Sequence, residues 1–237
     1  TMPTIYNYPY YPEHIKAIGG FEIDNKYVEN KLMVPEAVPE KYAKIAAMIQ
    51  KRYNLHVVKL TKKMVFDEGY GQKIFDLINA TYSHLYGYSQ LTQKQINQYI
   101  KMYLGMLDLE FVTLIEDWSG DERKLVGAGI SMPSLSIALQ KCHRGRMLPF
   151  GWWHLLRAIK FHKTKIVDLL LVGILPEYRA KGANALLFAD LIPIYQKYGI
   201  EWGETQVEME TNTAVQGQWG PLSPIQHKRR ECYIKKI

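Results

Sequence analysis

The sequence predicts an α/β (α+β) fold, a sheet flanked by helices, and three observations predict it. Residues 169–175 form an almost unbroken apolar run, as expected of a strand buried on both faces, and Pro176 ends it by removing a backbone donor. Arg179, Lys181 and Gly182 follow, and apolar residues then recur at helical spacing as far as Tyr195. From residue 56 onward, segments of period two and period 3.6 succeed one another as strand, helix, helix, strand, strand, insert, strand, helix, strand, helix, strand.

Taken in order, residues 6–11 are rich in Tyr and Pro, 13–18 suit a short helix, and 21–33 alternate as a strand does. Pro35 and Pro39 mark a linker before a helix at 40–52. Residues 56–60 read as a short strand. The next helix, 71–86, carries Ile74, Leu77, Ile78 and Leu85 on one face. Thr92 is the expected N-cap of a helix at 92–104, with Gln95 at the capping-box position. Residues 110–116 and 125–132 read as a hairpin across Trp118-Ser119-Gly120-Asp121. Beyond the helix at 183–195 come a strand at 205–211, a short helix from Asn212, and a last strand at 231–237.

Composition narrows the function classes. The chain has 237 residues, enough for one large domain or a domain with a piece of another, and its longest apolar stretches are too short to span a bilayer. No basic-then-apolar leader is read at its start, and Cys142 and Cys232 are too few for a metal site or a disulfide framework, so a cytoplasmic location without metal is expected. A net charge of +7 suits an anionic ligand. The longest Lys/Arg run is Lys228-Arg229-Arg230 and no nucleic-acid-binding spacing is present, so nucleic acid is not expected as a partner.

The turn at 176–183 has its own chemistry. A loop of small residues opening a helix aims backbone N–H groups at one point, where the helix dipole adds positive potential, and the ligand this suits is phosphate. Neither the P-loop nor the three-glycine dinucleotide pattern is present.

The stretch Ile174-Leu175-Pro176-Glu177-Tyr178-Arg179-Ala180-Lys181-Gly182-Ala183-Asn184 resembles the acetyl-CoA motif V-x-P-x-x-[QR]-x-x-G-x-[GA] of the GNAT (Gcn5-related) N-acetyltransferases. Asn184 stands where Gly or Ala is usual. The element order from residue 55 to 237 also resembles that fold, which implies a mixed central sheet flanked by helices with a helical insert between the third and fourth strands. Residues 1–54 are then an N-terminal extension, or the remnant of a preceding similar domain plus a linker helix.

The resemblance implies acetyl-CoA, or another acyl-CoA, as co-substrate. The amides of Arg179, Ala180, Lys181, Gly182, Ala183, Asn184 and Ala185 would hold the pyrophosphate, and the strand edge at Val172, Gly173 and Ile174 would pair with the pantetheine arm. Asn212, followed by Ala214 and Trp219, resembles a further family pattern in which Asn begins a helix near the cofactor and a Tyr serves as general acid. Trp219 stands at that Tyr spacing and an indole does not protonate a leaving group at neutral pH, so Tyr195 or Tyr233 are the replacements, or else packing residues.

Acyl transfer to an amine needs a group that removes a proton from the incoming ammonium. Asp168 lies eleven residues before Arg179, where histone-type members of the family carry a base, and it interrupts an apolar strand, where burial raises a carboxyl pKa. An ion pair explains it as well. Glu204, Glu208 and Glu210 share a strand face, with Glu208 the second candidate and a solvated face the plainer reading.

The expected function is transfer of acetyl from acetyl-CoA to a primary amine of a small molecule or peptide by direct attack. The alternatives are longer acyl chains, or a degenerate protein that binds a CoA-like ligand or a partner without turnover. In the insert, residues 147–165 read as a basic amphipathic helix. The plainer expectation is a lid whose apolar face covers the sheet, and the sharper ones are a membrane-surface contact through 148–163 or a wall for an acyl chain or apolar acceptor. Oligomeric state is left open.

Overall fold

The structure, a computed structural model, describes residues 5–105 and 107–236, with only the backbone described at 144 and 214. The elements begin with α1 (Tyr10–Ile18), β1 (Glu22–Met33), α2 (Glu40–Tyr53), β2 (Leu55–Lys59), α3 (Lys62–Phe66), α4 (Tyr70–Tyr82) and α5 (Gln93–Tyr99). Next come β3 (Val112–Asp117), β4 (Lys124–Pro133), α6 (Ser136–Gln140), α7 (Gly151–Ile159) and β5 (Ile166–Ile174). The chain closes with α8 (Pro176–Arg179), α9 (Asn184–Lys197), β6 (Trp202–Thr205), β7 (Glu208–Met209), α10 (Thr213–Gln218) and β8 (Ile225–Ile234). The architecture is a mixed sheet flanked by helices, as the sequence predicts.

The chain divides into two compact units. One gathers Thr1–Met33, Pro133–Asp168 and Trp202–Ile237, and the other Val34–Met132 and Leu169–Glu201. In the second unit β3 lies between antiparallel β2 and β4, with Val57 opposite Ile115 and Leu114 opposite Ala128. Alternation along β3 feeds two cores. Leu114 packs with Ile74, Leu77 and Ile78 of α4, while Ile115 packs with Ile49 of α2 and with Leu186 and Leu187 of α9. Thr92 and Gln95 make the predicted capping box at the start of α5.

In the first unit β1 is the central strand. It runs antiparallel to β6 (Leu32 opposite Gly203), to β7 (Val28 opposite Glu208) and, along nearly its whole length, to β8. The strand expected at 205–211 is interrupted here. Between the two ladders the Thr205 side chain takes over, its Oγ1 accepting the Asn30 N–H at 2.9 Å, and β6 and β7 are separated at that point. The last strand begins at Ile225, six residues before the expected start, and the expected end at 237 lies outside the described residues.

The insert also departs from expectation. Of α7 only Gly151 and Ala158 are buried, whereas Trp152, Trp153, Leu156 and Ile159 are exposed, so the helix does not cover a core with its large apolar side chains. Among the described residues no helix is long and apolar enough to cross a membrane. Cys142 and Cys232 are both free.

Candidate active site

The predicted site residues fall in both units. In the first, buried polar groups are concentrated on β1, β5 and β6, where Glu29, Asn30, Asp168, Glu204 and Thr205 are all less than 9% exposed. Strand β8 supplies the opposite charge. Arg230 Nη2 lies 2.7 Å from Glu29, Lys228 bridges Glu29 at 3.3 Å and also pairs with Glu204, and His227 Nε2 sits 2.9 Å from Glu204. Glu29 and Glu204 are tolerated in these buried positions because each meets cations of β8.

Asp168 is the exception. Its side chain is fully buried on β5, and neither carboxylate oxygen has a hydrogen-bond partner among the described residues. Burial pushes its pKa up to about 6; Glu204 acts in the same direction, and Ser134 and Lys228 moderate the rise. Such a group is costly unless it is neutral or meets a cation.

Glu208 is organised differently. Its Oε1 accepts the Trp219 indole N–H at 2.9 Å, and its Oε2 accepts the Asn30 side-chain amide at 3.4 Å. Burial raises its pKa to about 7 against these donors and Thr205, which favour the ionised form. Trp219, at the spacing of a general acid, is therefore a donor that orients a carboxylate. Asn212 caps α10, its Oδ1 accepting from the Val215 amide at 3.3 Å.

Neither tyrosine takes the acid's place visibly. The Tyr195 hydroxyl is buried in the other unit and donates to Ser131 at 2.9 Å, and burial pushes its pKa well up. Tyr233 donates to Glu231, its neighbour two positions back on exposed β8, at 2.6 Å.

The turn between α8 and α9 lies in the second unit. Gly182 has φ +85°, a left-handed conformation that glycine adopts without strain, and a Cβ there would come within 3.2 Å of Ile45. Several of the expected anion donors are already engaged. The amides of Arg179, Gly182, Ala183 and Ala185 donate to Leu175, Arg179, Tyr178 and Gly182 carbonyls within the turn, so these four are already satisfied. The Arg179 side chain is also turned inward, donating from Nε to the Ile174 carbonyl at 2.7 Å and from Nη2 to the Thr81 carbonyl at 3.5 Å.

Sequence reasoning missed the end of α4. The Tyr82 hydroxyl donates to the Val172 carbonyl at 3.2 Å and accepts from the Val172 amide at 3.3 Å, so it takes up both backbone groups of Val172, the first of the three residues expected to meet pantetheine. Beside it, a Cβ on Gly173 would lie 2.9 Å from Thr81 Oγ1. A ligand pairing with this edge must displace the Tyr82 hydroxyl. No periodicity reveals this, because Tyr82 reads as one more helical residue. Among the described residues no group of His, Cys, Asp or Glu is gathered as a metal ion requires.

No protein-family model matches the chain. It is 21% identical over 175 residues to a bacterial ceramide synthase of Caulobacter vibrioides, a match covering 70% of this chain and 43% of that protein. It is similar in structure to a GCN5-related N-acetyltransferase from Sphaerobacter thermophilus, with TM-score 0.56 and 10% identity over 94% of this chain and 55% of that one. A GCN5-related glucosamine N-acetyltransferase region of a fungal multi-domain GH3 β-N-acetylglucosaminidase gives TM-score 0.54 at 10% identity, over 94% of this chain and 22% of that one. The chain thus spans less than two thirds of each of these proteins, and it has the fold of the GCN5-related N-acetyltransferases.

Proposed function

We propose that the chain is an acyl-CoA-dependent N-acyltransferase in which Asp168 accepts the proton of the incoming ammonium. The observation that carries this reading is a fully buried carboxylate that meets no hydrogen-bond partner within bonding distance among the described residues, with a pKa raised to about 6. An ammonium satisfies such a group electrostatically, and a base with a pKa just below neutrality can deprotonate it and remain mostly ionised at pH 7. The freed amine attacks the thioester carbon, the carbon–sulfur bond breaks with CoA leaving as its thiolate, and the proton that nitrogen then sheds passes to that thiolate, giving the amide and free CoA. Glu208, held by Trp219 and Asn30, is the second candidate for the base. The amides of Ala180, Lys181 and Asn184 at the start of α9 suit the CoA pyrophosphate.

Acetyl is the acyl group the GNAT resemblance favours. A long acyl chain is the second reading, favoured by the similarity to a protein named as a ceramide synthase, since a ceramide is itself a fatty amide. Thiol release from acetyl-CoA and palmitoyl-CoA, measured against a panel of small, peptide and long-chain amines, tests both. Amine-dependent release that collapses in Asp168→Asn is the expected result. Acyl-CoA binding without release in any amine would leave a degenerate, ligand-binding protein, and no binding at millimolar concentration would remove the acyl-CoA reading altogether.

A further inference from the structure

The 25 residues 141–165 contain seven Lys or Arg and no Asp or Glu. The rest of the chain carries 23 basic and 23 acidic residues, so its entire net charge of +7 resides in this segment. The same segment holds an exposed apolar cluster. Leu148 is 75% exposed, Phe150 71%, Phe161 52%, Trp152 46%, Trp153 42% and Leu156 37%. The rings adjoin, with Trp153 packed edge-on to Trp152 at 5.8 Å between centroids and tilted against Phe161 at 6.3 Å.

The orientation of α7 produces this surface. Gly151 and Ala158 are its only buried residues, seven apart and hence on one face after two turns. Gly151 cannot be larger, since a Cβ there would come within 2.1 Å of the Arg146 carbonyl. The helix therefore sits on its smallest side chains and projects its largest, while Arg157, Lys160 and Lys163 are exposed alongside them.

We infer that this segment docks the protein on an anionic lipid bilayer, with the aromatic and leucine side chains entering the headgroup boundary and the cations lying among lipid phosphates. A bilayer of that kind offers an apolar phase and negative charge on one surface, which match the exposed aromatic and leucine side chains and the exposed Arg157, Lys160 and Lys163. Trp side chains suit that boundary because the ring is apolar and the N–H polar. A second copy of the chain fits poorly, because a twofold interface would set the exposed Arg157, Lys160 and Lys163 against their own copies, and the segment has no acidic residue to offset them. The inference does not depend on acyl transfer.

The test is co-sedimentation of the full chain, without acyl-CoA, on vesicles of phosphatidylcholine alone and of phosphatidylcholine with phosphatidylglycerol. Binding to the anionic vesicles only, weakened several-fold as salt is raised from about 0.05 to about 0.5 M, is expected. Leu148→Ser with Phe150→Ser and Phe161→Ser should weaken it about tenfold or more, with thermal melts unchanged because these side chains are already exposed. Arg157→Gln with Lys160→Gln and Lys163→Gln should also weaken binding and remove most of its salt dependence. Absence of sedimentation overturns the inference. So does equal binding by the triple-Ser variant, tight binding to soluble polyglutamate that the triple-Ser variant retains, or sedimentation velocity showing a dimer that the Ser changes dissociate.

Discussion

In the function proposed above, Asp168 would tie activity and stability to the same proton. Its pKa rises from 3.8 to about 6 on folding, so between those values the folded state holds a proton the unfolded chain has released. Stability is therefore greatest below pH 4 for this group, falls as pH rises through about 6, and is flat above that. The two-unit shift corresponds to about 3 kcal/mol across the window, at roughly 1.4 kcal/mol per unit. In Asp168→Asn the fall is absent, so the stability difference between wild type and variant should narrow or reverse as pH rises from 4 to 7, whatever constant cost the buried amide adds. Denaturant melts at three pH values measure it. The same variant should lose about two to four orders of magnitude in kcat and the acidic limb of its pH profile, with little change in acyl-CoA affinity. A flat stability difference would mean that the carboxyl is not buried as described.

At the scale of elements, the proposed anion site rests on the turn before α9. Gly182 is a poor probe of the turn before α9, because any side chain there is strained at φ +85° and meets Ile45. Asn184, the first residue of the fourteen-residue α9, is a cleaner one. Asn184→Asp places a negative charge at a helix N-terminus, which favours the helix, yet repels a pyrophosphate. A calorimetric loss of about tenfold or more in acyl-CoA affinity, roughly 1.4 kcal/mol, with an unchanged or higher Tm is expected. Unchanged affinity would move the anion site away from this turn. Strand β8 depends on its charges being matched. Lys228→Met leaves Arg230 on Glu29 and His227 on Glu204 but removes the cation shared by both buried carboxylates. Loss of one partner of a buried pair costs about 3–5 kcal/mol, less here because Lys228 is partly exposed, so a Tm lower by about 4–8 °C is expected. A Tm within a degree of wild type would show that Arg230 and His227 suffice.

For the molecule as a whole, the sequence by itself determined the fold class and most of the elements. Helices, strands and the capping box at Thr92 and Gln95 were legible because side-chain period and cap chemistry are local, set within a few residues. The buried setting of Asp168 was legible for the same reason, since Ile166, Val167 and the apolar residues after it mark a strand without a wet face. Only the tertiary structure decided the rest. That β1 lies between β6 and β8, that His227, Lys228 and Arg230 neutralise Glu29 and Glu204, and that Tyr82 bonds both backbone groups of Val172, 90 positions away, are pairings that no short stretch of sequence contains. The facing of α7 belongs with them. Its composition predicts an amphipathic helix, but which stripe is buried follows from the close fit of Gly151 against the Arg146 carbonyl and the burial of Ala158. Periodicity gives a segment two faces and says nothing of what each will meet, because contact is settled by the whole chain's packing at once.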